Sequence, residues 1–228
     1  MRKAFAGILV LAVFILRSAS QASGGSWDDG FHTAFMNHVG NNLGAEEAVT
    51  CVATLGTEVY IGSGDTVNHF GRVWRYKETD GIWQELAVVY GFWGVRALNA
   101  AEDGNGIKYL FVGGGFSSVI CLTNQFDARN VFCLNLCSGQ SWRLGTPPND
   151  GTDGPVFGLK ALPWTTSYQG GTVKVVVGGE FNTAGSGSLK GLALWKQSPL
   201  LGGVVSPAAL TTMVLPPEPR QKCTQLTQ

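Results

Sequence analysis

"KVVVGGEFNTAG", residues 174–185, decides the reading of the fold. Its valines run on without alternating polar residues, as in a strand buried on both faces. Two glycines end the run and let the backbone turn where a Cβ would clash. Phe181 follows, and then an Asn-Thr-Ala-Gly turn. The same order recurs more weakly in "YLFVGGGFSS", 109–118, and more weakly still in "EVYIGSGDTV", 58–67. Aligned on Gly62, Gly113 and Gly178, the copies are offset by 51 and 65 residues.

Working outward, each copy is preceded by a piece ending in Ala-Leu or Thr-Leu: "CVATL" to Leu55, "GVRAL" to Leu98 and "GLKAL" to Leu162. Each is followed by a third apolar piece: "GRVWRY" (71–76), "NVFCL" (130–134) and "GLALW" (191–195). A fourth, carrying Trp83 or Trp142, follows in the first two copies. Gly, Asn, Asp and Ser clusters separate the pieces as turns, and no long stretch has helical periodicity. The expected fold is all-β: a partial β-propeller of about three four-stranded blades, with units at about 48–90, 91–154 and 155–198. "SSVICLTNQFDAR" (117–129) and "TPPNDGTDG" (146–154) read as loop insertions. The first strand of each unit should line the channel, and the second should lie between neighbouring blades. Phe116 and Phe181 should fill the space between blades, and the fourth-strand Trp should cover the rim. Trp27 is a candidate closing strand.

The ends read differently. Arg2 and Lys3 precede the apolar run "AFAGILVLAVFIL", 4–16, and Ser20 and Ala22 fit a small-x-small cleavage pattern. This is a signal peptide over 1–22, expected as a helix, with cleavage before Ser23 and export to a secreted or cell-surface location. The run is shorter than the roughly 20 residues of a spanning helix; an uncleaved anchor is the alternative. Residues 199–228 hold five of the nine prolines and read as an irregular tail.

Composition narrows the function. Charged residues are 14% of the chain and the formal net charge is +0, which gives no electrostatic footprint for nucleic acid or an anionic membrane face. Cys51, Cys121, Cys133, Cys137 and Cys223 make an odd count, so at least one thiol is unpaired or bridges to another chain. A bridge among the closely spaced Cys121, Cys133 and Cys137 and a set of buried thiols are both open readings. No Asn-x-Ser/Thr sequon occurs.

"VVVGGEFNTAGSGSLKGLALW", 175–195, resembles the repeat of secreted kelch-like or galactose-oxidase-like propellers, which also occurs in bacterial surface proteins and fungal cortical propeller proteins. The likeness covers roughly 48–196 and weakens toward the first copy, where Asp65 replaces the aromatic. It implies a propeller in an extracellular setting, and fold alone assigns no activity. About three blades fall short of the roughly 4–8 of closed propellers, so a fragment or a part of an oligomer is also implied.

The candidate chemistry is sparse. His32, His38 and His69 are the only histidines and have no metal-ligand spacing. They precede any complete repeat, so copper-radical chemistry is not carried over from the resemblance. Asp150 and Asp153 in "NDGTDG", and Asp28 and Asp29 beside Trp27, are weak calcium candidates. Glu78, Asp80, Glu85 and Glu180 are available acids, but nothing pairs two of them for glycoside hydrolysis. "GSGSLKG", 185–191, lacks the phosphate-loop arrangement. No catalytic residue, cofactor or metal is assigned. The expectation is a binding module for a protein or glycan at the cell surface. The alternatives are part of a carbohydrate-active enzyme, or a piece of a larger propeller without activity of its own.

Overall fold

The computed structural model describes residues 46–121, 124–162 and 173–197, together with Val39, Leu43 and Thr212–Met213. The signal helix expected over 1–22, Trp27, His32, His38, Cys223 and most of the tail lie outside the described residues. What is described is all-β, in sheets that are antiparallel but for one two-residue strand and of which none is closed.

Three sheets carry the structure. Sheet I contains the consecutive strands β1 (Glu47–Leu55), β2 (Glu58–Asp65), β3 (Phe70–Lys77) and β4 (Ile82–Tyr90). Sheet II contains β5 (Gly94–Glu102) and β6 (Lys108–Gly115), then β9 (Val131–Asn135) and β10 (Ser141–Arg143). The intervening β7 (Ser118–Cys121) and β8 (Gln125–Asp127) form a hairpin that joins the edge of sheet I, with β7 antiparallel to β4. A two-stranded ribbon of β11 (Gly145–Thr146) and β12 (Asn149–Asp150) leads toward sheet III. Sheet III contains β13 (Val156–Leu162), β14 (Lys174–Gly179) and β17 (Leu192–Gln197). Between its second and third strands lies the small hairpin of β15 (Thr183–Ala184) and β16 (Gly187–Ser188). The final strand, β18 (Thr212–Met213), runs parallel to β17, so the Pro-rich tail is not wholly irregular.

The first correction concerns the insertions. The stretches 117–129 and 146–154 are not plain loops. Val119 alternates with exposed Ile120 and is fully buried, so β7 covers the otherwise unpaired edge of β4. The sheet III hairpin reaches back in a similar way, through a bridge between Thr152 and Ala184. Each inserted hairpin thus ties its repeat to the preceding one.

The valine-type strands are buried on both faces where a sheet lies on each side. Along β6, Leu110 and Val112 enter a core shared with Tyr60, Val73 and Val89 of sheet I. Tyr109 and Phe111 enter a second core with Val156, Val175 and Val177 of sheet III. Phe116 packs in the first core and Phe181 in the second. Adjacent side chains in a strand point to opposite faces, so a two-sided environment calls for an unbroken apolar run.

Three local features repeat. Every first strand bulges once: between Val49 and Cys51, between Val95 and Ala97, and between Val156 and Gly158. Opposite each bulge stands the glycine of the second strand, in the pairs Cys51–Gly62, Ala97–Gly113 and Gly158–Gly178. The residue before each third strand is left-handed: His69 (φ 58°), Asn130 (φ 63°) and Gly191 (φ 75°). These recur at a constant 61 residues, whereas the glycine runs are offset by 51 and 65 because the hairpins and turns between them differ in length. In the neighbouring turn, Asn130 Oδ1 accepts from Phe116 N at 3.1 Å and its Nδ2 donates to Thr152 O at 2.9 Å.

Candidate functional site

The β4–β5 turn, "YGFWG", places two large aromatics at one end of the sheets. Phe92 and Trp93 are both exposed, as is Phe157 at the bulge of β13. Single exposed apolar residues are ordinary, but a contiguous aromatic group on a monomer surface marks an interaction site.

The turn is held down by its flanking glycines. Gly94 has φ +58°, and a Cβ there would lie 2.6 Å from Gly64 Cα. A Cβ at Gly91 would lie 2.3 Å from Phe116 Cα. Only glycine lets this turn rest on the backbones of both sheets. Trp93 N donates to Gly115 O at 3.1 Å, and the start of its side chain packs over Gly115.

The rings form a connected platform. His69 stacks on Phe92 at 4.9 Å, Phe92 meets Trp93 edge-on at 5.6 Å, and Trp93 meets Phe157 edge-on at 6.2 Å. Edge-to-face pairs at such separations are favoured by the ring quadrupole. Arg96, the bulged residue of β5, lays its guanidinium 5.5 Å from the Trp93 ring and donates Nε to Trp93 O at 2.9 Å. The bulges of β5 and β13 therefore aim Arg96 and Phe157 into one cluster, a common use of bulges beside sites. The platform can stack flat apolar surfaces, and it offers guanidinium donors at its edge.

His69 is the one sequence candidate that joins this cluster. Phe92, Trp93, Arg96 and Phe157 were not anticipated. Two aromatics between two glycines in a strand-to-strand turn was the available signal, since a buried aromatic rarely sits in a turn tip.

The other described candidates do not join it, and no three of the described residues form a metal-ligating group. Asp150 is buried, with Oδ2 3.9 Å from Arg143 Nε. Asp153 accepts from Asn182 N and Thr183 N at 2.8 Å each. The Thr183 N–H, with that of Asn182, holds its carboxyl below the ordinary value despite an opposing desolvation effect. Its lone pairs thus fix the β14–β15 turn. Asp80 lies 3.9 Å from Lys77 Nζ, and Glu78 and Glu180 are exposed. Glu85 lies 3.3 Å from Arg72 Nε. Partial burial pushes its carboxyl up, with Arg72 pulling the other way. Arg72 also pairs with buried Glu47, which the Ser63 hydroxyl contacts as well. In the first copy Asp65 occupies the phenylalanine position. It caps its own turn by accepting from Val67 N and Asn68 N at 2.8 Å each, and the Asn68 backbone N–H chiefly lowers its carboxyl.

Cys137 is disulfide-bonded, whereas Cys51, Cys121 and Cys133 are thiols, so no bridge forms among Cys121, Cys133 and Cys137. Burial pushes the Cys51 and Cys121 thiols up to about 11, opposite to the shift that makes a cysteine reactive. Between sheets II and III lies an apolar cavity of about 30 Å³, lined by Val131, Leu144, Val177, Leu189 and Trp195. It is far below the roughly 300–1,000 Å³ of small-molecule sites. No family profile, curated protein or solved structure matches this chain.

Proposed function

We propose that this chain is an extracellular β-propeller module of kelch-like type. In this reading it binds a cell-surface glycan through the platform of Phe92, Trp93 and Phe157 and has no catalysis of its own. The platform is the observation that carries the reading. A pyranose ring has an apolar C–H face that stacks on Trp, and hydroxyls that accept from a guanidinium such as that of Arg96. Trp and Arg are also the residues that dominate binding energies when they sit centrally in a contact. The propeller part is supported by the repeated bulge–glycine pairs and by the packing of β5 against β1, β2 and β13. Packing of this kind brings the first strands together, as around a channel. Export is supported by the N-terminal sequence alone. Binding rather than turnover is favoured because Asp80, Glu85, Asp150 and Asp153 each serve a separate ion pair or turn, while Glu78 and Glu180 stand exposed in different turns.

The test is a glycan array probed with secreted wild-type, Trp93→Ala and Phe157→Ala protein. Removing the central ring is expected to weaken binding by at least tenfold, about 1.4 kcal/mol, with Phe157→Ala weaker in effect. Release of reducing ends from a bound glycan would overturn the binding-only reading. Platform-dependent capture of a protein, with every glycan inert, would overturn the ligand class.

A further inference from the structure

The repeat makes its inter-sheet contact the same way twice. A Cβ added to Gly62 of sheet I would lie 2.5 Å from Val95 Cγ1 of sheet II. A Cβ added to Gly113 of sheet II would lie 2.6 Å from Val156 Cγ1 of sheet III, and 3.2 Å from Leu159 Cδ1. The valine before each bulge therefore plugs the glycine of the preceding sheet. Val95 and Val156 are each 0% exposed. The leucine after the bulge, Leu98 or Leu159, belongs to or packs against the same core.

One plug and one socket remain. Val49 precedes the bulge of β1 as Val95 and Val156 do in theirs, yet it is 41% exposed. Val52, which stands where Leu98 and Leu159 stand, is 59% exposed. At the far end, Gly178 and its partner Gly158 have no side chain of the described residues within 4 Å of an added Cβ. Tyr60 and Phe111, two residues before the filled glycines, are fully buried, but Val176 in that position is only half-buried. Leu192, opposite Gly178, is exposed, and Lys160, Lys174 and Lys196 rim this face.

We propose that two copies of this chain associate head to tail, with Val49 and Val52 of sheet I in one copy seated on Gly178 and Val176 of sheet III in the other. The contact continues the two interfaces already built inside the chain. It is heterologous, so it either closes a ring or propagates. Closure by two copies into six sheets, within the roughly 4–8 of closed propellers, rests on the propeller reading above; the contact itself does not.

The experiment is light scattering behind size exclusion on the full secreted chain, over a concentration series. Twice the chain mass is expected. Val49→Asp and Gly178→Trp, both on open faces, should each keep the wild-type circular dichroism and weaken association by at least tenfold. An equimolar mixture of the two should regain association in part, because one of its contacts pairs an intact Val49 with an intact Gly178 while the other carries both substitutions. A ladder of larger species that collapses with Val49→Asp would support the contact and overturn the six-sheet ring. A monomeric wild type, including one whose own tail covers sheet III, would overturn the proposal. So would association that neither substitution alters. None of these results depends on glycan binding.

Discussion

Gly113 and Gly178 occupy the same place in consecutive repeats, and their surroundings differ completely. Gly113 lies under Val156 at a separation that leaves no room for a methyl group, whereas no described side chain approaches Gly178. The sequence around them is nearly the same, "FVGGGF" against "VVGGEF". The difference teaches that a glycine at the end of an apolar strand serves two ends here. It meets the bulge of its own sheet, which all three copies share. It also receives the valine of the next sheet, which among the described residues only two copies have.

The sharpest way to break this comparison is to fill both glycines. Gly113→Val should cost about 3 kcal/mol, because the stiff Val156 side chain and the backbone behind it must move. Gly178→Val should change the stability of the monomer by less than about 0.5 kcal/mol. Urea midpoints at one low protein concentration check both, and equal losses would sink the distinction. The converse pair removes the plugs. Val156→Ala should cost about 2 kcal/mol through lost burial and a residual cavity, while Val49→Ala should be near neutral in the same assay.

A smaller effect sharpens the comparison at the turns. Asn130 is left-handed and bonds both Phe116 N and Thr152 O. Asn130→Ala should lose both bonds and add left-handed strain, for about 2 kcal/mol. Asn130→Gly should lose the bonds but not add the strain, for about 1 kcal/mol. Equal losses in the two variants, read by thermal melting, would show that the backbone conformation is not the constraint.

A further effect is pH-dependent. Burial raises the Cys51 and Cys121 thiols from the ordinary 9.0 to about 11. Between those values the unfolded chain has released protons that the folded chain still holds, so stability falls as pH rises from about 9 to about 11. Below pH 8 the two thiols should contribute no slope. Alkylation should likewise be slower in the folded than in the unfolded chain at pH 8, and equal rates would contradict the burial of both thiols.

Much of the local structure was legible. The apolar runs at 59–61, 110–112 and 175–177 became second strands because β-branched and aromatic residues suit a pleat covered by neighbours. Phe116 and Phe181 could be placed in the cores because they stand at a fixed distance past the glycines. The hairpin of β7 and β8 was not legible as sheet, since "SSVICLTNQFDAR" gains its partner only when the edge of β4 is nearby. The aromatic platform was missed for the same reason. Phe157 lies 64 residues from Trp93, and only the stacking of sheets II and III brings them together.

The sequence by itself determined an all-β chain built of repeated short strands, because apolar runs, glycines and turn residues act through neighbours a few positions away. Tertiary structure alone decided which faces of those repeats are filled. Whether Val49 is a plug without a socket, or Gly178 a socket without a plug, depends on what lies across the gap. That is a matter of distance in space, which residue order does not carry.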